Sequence, residues 1–286
     1  PEVLEFAGSR EADALCRIGP ATPDHTIFTK RLPCFAPVDD PADPDSVRTG
    51  VTAAVERFVA DYTRYFESHN DQGATLADAF PRVIVVGGLG LFAAGKDRRT
   101  AGIVDDIYHH TISVLGAATS FGRYVSLSAR EAFDVEYWPL ELYKLSLAPP
   151  EKELARRIAL VTGGASGIGR AVAQRLAAEG GHVVVADLDA AGARKVAEEI
   201  VSANGAGRAL GLGMDVTSEA SVRAPFEAAV LAYGGVDIVV SNAGTAHSAP
   251  VDRMELADWE RSFAVNATGH FLVAREGMRI LKTQGL

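Results

Sequence analysis

The sequence predicts an α/β protein whose C-terminal half is a doubly wound parallel sheet, with a separate α/β region ahead of it. Three observations predict this. From residue 158 onward, short continuously apolar runs alternate with stretches of helical periodicity, the pattern of strands buried on both faces and separated by helices. The first of these runs opens into "TGGASGIG", a glycine-rich turn between a strand and a helix. Pro149 and Pro150, followed by the charged stretch "EKELARR", mark a linker before that half.

Residues 1–50 read as a connector and aldolase-like segment with a little structure, because Pro33, Pro37, Pro41 and Pro44, with acidic residues among them, rule out a continuing helix or a central strand. From Val51 the pattern turns helical, placing Val51, Val55, Phe58, Val59, Tyr62 and Phe66 on one stripe. The stretch "PRVIVVGGLGLFAAGKD" predicts a strand, a glycine turn and a second short strand. "RRTAGIVDDIYHHTISVLGAATSF" predicts a helix, and "SAREAFDVEYWPLELYKL" a shorter one broken at Pro139. Residues 51–148 thus form one region and 149–157 the linker. In 158–286, strands are expected at 158–162, 182–186, 209–214 and 237–241, and helices at 168–179, 191–204 and 219–233. Pro225 should kink the last of these helices unless it lies in the first turn.

At 286 residues, two domains are the expectation. The 28 Lys and Arg against 37 Asp and Glu give a net charge of -9, spread rather than gathered in runs, which disfavours nucleic acid and anionic membranes as partners. No apolar run is long enough to span a bilayer, and Cys16 and Cys34 have no zinc or redox spacing, so a cytoplasmic setting is expected. With no initiator Met ahead of Pro1 and a helical pattern running up to Leu286, the chain reads as an internal piece of something longer.

The glycine turn carries the chemistry. Gly163, Gly167 and Gly169 lack a Cβ, so the backbone can turn tightly and phosphate oxygens can approach the N-terminus of the next helix, which suits a pyrophosphate. Eighteen residues past Gly169, Asp187 ends the second strand, where a carboxylate can accept hydrogen bonds from ribose hydroxyls and repel a 2'-phosphate. Leu188 and Asp189 come next with no Arg, so NAD is favoured over NADP; the alternative is an acid that merely caps a turn.

Five motifs occur in order: Thr162-Gly163-x-x-x-Gly167-x-Gly169, then Asp187, "MDV" ending at Val216, "SNAG" from Ser241 to Gly244, and "VNATG" from Val265 to Gly269. This set resembles the short-chain dehydrogenase/reductase family. The resemblance implies a Rossmann-like sheet of order 3-2-1-4-5-6-7 and an NAD site formed by Thr162, Gly163, Ser166, Gly167, Ile168, Gly169, Asp187, Leu188, Asp215, Val216, Asn242, Ala243 and Gly244. It would place Asp215 and Val216 at the adenine, Asn242, Ala243 and Gly244 beside the nicotinamide ribose, and Asn266 in a proton relay as the one catalytic candidate. The family's Ser and Tyr-x-x-x-Lys find no match, since none of the seven Tyr has Lys four residues on; that motif is expected beyond Leu286, and these residues alone are expected to bind NAD poorly.

The stretch from Pro81 that includes "VVGGLGLF" resembles the C-terminal part of the class II aldolase and adducin fold, whose N-H-G histidine binds zinc. Leu89 stands at that position and cannot ligate a metal, so no metal ligand is assigned and the region reads as degenerate. The pairs Asp105 with His109 and Asp106 with His110 read as solvated i, i+4 neighbours rather than a metal site. His25, Thr29 and Lys30 in "PDHTIFTK" form a polar turn that either faces a sugar phosphate or simply caps the next segment. The order of the two regions, together with "PDHTIFTK" and "EAFDVEYWPLELYKL", resembles bifunctional rhamnulose-1-phosphate aldolase/dehydrogenase fusions. That resemblance implies a small aldehyde or alcohol substrate such as lactaldehyde, rhamnose-type catabolism and a homo-oligomeric parent. The alternatives are a non-catalytic NAD-binding or scaffold module, and a dehydrogenase of other specificity with an unrelated N-terminal domain.

Overall fold

The computed structural model describes residues 2–147 and 149–285, folded as two compact units, Pro1–Pro149 and Pro150–Leu286. In the first, α1 (Glu2–Gly8), α2 (Ala12–Leu15) and α3 (His25–Thr29) lead to β1 (Cys34–Ala36). Then come α4 (Pro44–His69), β2 (Val83–Val86), β3 (Gly90–Ala93), α5 (Arg98–Phe121), α6 (Ala129–Glu136) and α7 (Pro139–Ser146). β1 and β2 are parallel, Cys34 opposite Ile84, so the chain must cross over between them, and α4 is that crossover. β2 and β3 form an antiparallel hairpin with Val86 opposite Gly90. Alternation sorts the two faces of the sheet. Val83 and Val85 pack with Val104, Ile112 and Leu115 of α5, while Val86 meets Cys34, Ala36 and Ala54 on the α4 side.

Residues 1–50 are therefore built into this unit and do not act as a connector. Pro33 and Pro37 flank a three-residue strand at the sheet edge, where a missing N–H is tolerated. Pro44 opens α4, whose N-cap Asp43 accepts from the amides of Asp45 and Ser46. Proline at a helix start is a beginning and not a break, so α4 starts well before Val51, where the apolar stripe becomes visible.

The second unit runs β4 (Ile158–Thr162), α8 (Gly167–Ala178), β5 (His182–Asp187), α9 (Ala190–Asn204), β6 (Ala209–Gly213), α10 (Glu219–Tyr233) and β7 (Ile238–Val240). A 3-10 turn Val251–Arg253, α11 (Leu256–Phe263), a π-helical turn Ala264–Gly269 and α12 (His270–Thr283) complete it. Its sheet has the order β6-β5-β4-β7, every pair parallel. Leu160 and Val184 face Phe226, Leu272 and Val273 of α10 and α12. Val161, Val183 and Val185 face Ala173, Val196 and Ile200 of α8 and α9. The apolar runs are thus buried on both faces, each Val or Leu contributing roughly 1.5–3 kcal/mol, and the doubly wound reading holds. Pro225 lies buried in the interior of α10, past its first turn, where it withholds one intrahelical hydrogen bond.

Candidate functional site

Parallel register brings the C-terminal ends of β4, β5, β6 and β7 to one edge of the sheet, Thr162 opposite Ala186 and Asp187 opposite Gly213. The strand order reverses at β4, which is flanked by β5 and β7; ligands of open α/β sheets settle in the crevice at such a switch point. The sequence-predicted residues converge here. Gly163 and Gly167 take positive φ, +66° and +52°, a region that favours glycine. A Cβ on Gly169 would overlap the Gly163 carbonyl oxygen and come within 2.5 Å of Asn242 Nδ2. No side chain fits there, so α8 starts directly against the turn.

The amides at that start are what a ligand would meet. Ser166, the N-cap of α8, makes no side-chain capping bond. By contrast, Asp189 caps α9 through the Gly192 amide and Ser218 caps α10 through the Ser221 amide. The first turn of a helix carries donors without intrahelical partners and a partial positive charge. At α8 these face the glycine cradle, with Ile168 and Leu188 left 75% and 70% exposed beside it.

Asn242 holds the turn in place. Its Nδ2 donates to the Thr162 carbonyl at 3.0 Å and the Gly163 carbonyl at 3.3 Å. The amides of Asn242 and Ala243 both donate to Thr162 Oγ1 at 3.0 Å. Asp187 accepts from the Ala165 amide through one oxygen and from the Asp189 amide through the other, both at 2.9 Å. A carboxylate offers about four lone-pair sites, so two bonds of this kind brace the turn and leave acceptor capacity for hydroxyls. Asp215 accepts from the Thr217 hydroxyl at 2.7 Å and the Thr217 amide at 2.9 Å, which hold its carboxyl below the usual carboxylate range. Val216 beside it is buried.

Asn266 sits in the π-helical turn, a feature frequent at functional sites. It makes a two-way bond with the Thr245 backbone: Nδ2 donates to the Thr245 carbonyl at 2.7 Å and Oδ1 accepts the Thr245 amide at 3.0 Å. Gly244 lies directly against Oδ1. Sequence reasoning missed the Thr162 hydroxyl as an anchor, and the close pair Ser241 Oγ···His270 Nδ1 at 2.6 Å. The only signal for either was a polar residue at the end of an apolar strand.

The first unit holds a different polar cluster. Tyr62 donates to Glu136 at 2.6 Å and shares a 2.7 Å hydrogen bond with Tyr137, while Tyr65 reaches the other Glu136 oxygen at 3.5 Å. Burial pushes the Glu136 carboxyl up against these donors. Lys30, at φ +62°, is buried, lies 3.5 Å over the Tyr62 ring and donates to the Asp78 carbonyl. Burial pushes its ammonium down to about 8. Of the two readings of the polar turn, the burial of Thr29 and Lys30 favours the structural one over a phosphate site, and the Thr29 hydroxyl donates to the His25 and Lys30 carbonyls. His109 lies 3.4 Å from Asp105 as an exposed i, i+4 pair. Leu89, half-exposed, occupies the tip of the β2–β3 hairpin. No group of three or more His, Cys, Asp and Glu suited to a metal occurs among the described residues.

The family model "aldolase class II, second domain" matches residues 1–145, and the short chain dehydrogenase model matches residues 157–285. The uncharacterized oxidoreductase YuxG of Bacillus subtilis is 47% identical over 284 residues, 99% of this chain and 41% of that protein. D-threitol dehydrogenase of Mycolicibacterium smegmatis is 40% identical over 130 residues, 45% of this chain and 49% of that one. The solved sorbitol-6-phosphate 2-dehydrogenase SrlD from Erwinia amylovora has 40% identity, covers 45% of this chain and 50% of its own, and gives a TM-score of 0.44. The chain spans half or less of the length of the curated relatives named here. It belongs to the class II aldolase second-domain family through residues 1–145, and joins that domain to a short-chain dehydrogenase domain in the same polypeptide.

Proposed function

We propose that the second unit is the cofactor-binding part of an oxidoreductase that takes NAD in preference to NADP. One observation carries this reading: the uncapped N-terminus of α8 stands over a glycine turn with no room for a side chain, at the sheet's switch point. Gly163, Ser166, Gly167, Ile168 and Gly169 would hold the pyrophosphate on backbone amides. Asp187 would accept from the adenosine ribose, with Leu188 against it, and Asp215 and Val216 would bracket the adenine. Thr162, Asn242, Ala243 and Gly244 would form the floor beside the nicotinamide ribose, Asn242 acting by fixing the turn. When bound, the cofactor supplies hydride transfer to or from a carbon of the substrate. Asn266 would assist proton movement by fixing Thr245 next to Gly244. The order of the two domains supports a bifunctional cytoplasmic homo-oligomer of rhamnose-type deoxy-sugar catabolism, acting on an aldehyde or alcohol such as lactaldehyde. For the first unit, Leu89 in place of a metal-ligating histidine favours a structural role.

The test is a fluorescence titration of the full-length protein with NADH and NADPH. NADH is expected to bind about tenfold or more tightly, which is roughly 1.4 kcal/mol, and Asp187→Ser is expected to narrow that ratio. Tighter binding of NADPH, or a ratio that Asp187→Ser leaves unchanged, would overturn the cofactor assignment.

A further inference from the structure

A cavity of about 500 Å³ opens in the first unit between edge strand β1 and helix α4, with α2 at its rim. Natural cores contain few voids larger than a water molecule, while small-molecule sites run to roughly 300–1,000 Å³. The α4 residues that line it, Ala54, Arg57, Phe58, Asp61, Tyr62 and Tyr65, have i, i+3, i+4 spacing. They form one face of the helix, part buried and part exposed, and this face borders a hollow and carries charged groups. The opposite wall is apolar, with Leu32, Pro33, Phe35 and Pro37.

The charges do not cancel. At the rim Asp13 is paired with Arg17 of its own segment, and Asp61 is paired with Arg64. Two lining guanidiniums, Arg31 and Arg57, form no ion pair among the described residues, although Arg31 lies near enough to the buried Glu136 carboxyl to favour its charged form. Arg31 lies 5.7 Å over the Tyr65 ring, and its buried Nε has no hydrogen-bond partner. Arg57 has no carboxylate partner among the described contacts. A buried N–H of this kind is costly unless something accepts from it, and arginine is suited to grip an oxyanion through two parallel bonds. The aromatic wall is held from behind, because Tyr62 and Tyr65 both donate to Glu136 outside the cavity.

We infer that this cavity binds a small organic anion, its phosphate or carboxylate head on Arg31 and Arg57 and its flat apolar body against Phe58, Tyr62 and Tyr65. Nothing in this inference depends on the dinucleotide site of the other unit.

Calorimetric titration of the full-length protein with phenyl phosphate, benzoate, benzyl alcohol and inorganic phosphate tests it. Phenyl phosphate or benzoate should bind at least about tenfold more tightly than benzyl alcohol and than inorganic phosphate, as one charge-assisted pair and one buried ring would each provide; whichever of the two anions binds more tightly identifies the head group. Arg31→Gln and Arg57→Gln should each weaken that binding about tenfold, and Arg48→Gln, an exposed α4 position outside the lining, should not. Arg57 is exposed, so its variant keeps the test valid if Arg31→Gln folds poorly. Benzyl alcohol binding as well as the anions, inorganic phosphate binding as well as phenyl phosphate, no binding of any probe, or insensitivity to both arginine variants would each overturn the inference.

Discussion

Both units place two consecutive glycines after an apolar strand, Gly87 and Gly88 after β2, Gly163 and Gly164 after β4. In the first unit the turn folds back as a hairpin and its amides are used: Gly87 N–H donates to the Ala36 carbonyl at 2.9 Å and Leu89 N–H to the Val86 carbonyl at 3.1 Å. In the second unit the Gly164 N–H is likewise used, donating to the Ala186 carbonyl at 3.1 Å, but the chain then passes into α8, and the donors of that helix's first turn meet no capping side chain from Ser166. Glycine supplies the freedom to turn. The element on the far side of the turn, strand or helix, decides whether amides are consumed by a ladder or presented to an anion.

The largest expected effect comes from filling the tighter turn. Gly169→Ala would push a methyl group into backbone and should destabilise the second unit by about 3 kcal/mol or more. Gly88→Ala, at φ +74° and with Pro41 nearby, should cost the first unit only about 1–2 kcal/mol. Trp138 and Trp259 are the chain's two tryptophans, one in each unit, so urea unfolding in Trp138→Phe and Trp259→Phe backgrounds reads each unit alone. Equal losses in the two would break the contrast.

A second difference is electrostatic, because the first unit keeps an ammonium in its interior. The folded Lys30 group titrates at about 8 against an ordinary 10.5, so it contributes stability at high pH that is lost as pH falls through 8. The buried thiols Cys16 and Cys34, pushed up to about 12 and about 11, act in the opposite sense and lower stability as pH rises past the ordinary thiol value. The quantity to measure is therefore the stability of wild type minus that of Lys30→Met, from pH 8 to about 9.5, below the ordinary tyrosine range. It should rise across that window; a flat difference would mean that Lys30 is solvated in the folded chain.

The smallest effect concerns caps. Asp43 caps α4 through two amides, and Asp43→Ala should cost about 1 kcal/mol. Ser166 makes no such bond, so Ser166→Ala should change unfolding by less than about 0.5 kcal/mol while still weakening dinucleotide binding. A comparable stability loss at both positions would show that Ser166 caps its helix in solution.

The second unit was largely legible because its strands are uninterrupted apolar runs, such as Val183 to Val185, that only a sheet covered on both faces can bury. The sequence singled out residues that meet at the switch point but not how they are supported: nothing in "SNAG" says that Asn242 bonds two carbonyls about eighty positions earlier. The first unit was harder to read. β1 has three residues between prolines, too short for any periodicity, and its identity as a strand comes entirely from pairing with β2. Nothing in the sequence marks Glu136 and Lys30 as interior charges, since it cannot show that two tyrosines and a carbonyl await them there.

The bonds from Asn242 to Thr162 and Gly163 also set an order of events in folding. The turn after β4 belongs to the earliest part of the second unit to be synthesised, yet its conformation is fixed by a residue beyond β7. Contacts so distant in sequence form late, because the loop-closure entropy must be met first. During chain synthesis, three strands and three helices must emerge before the turn can lock, so a ligand of this turn can only trap a sheet in which β4 to β7 are already in place and cannot nucleate one.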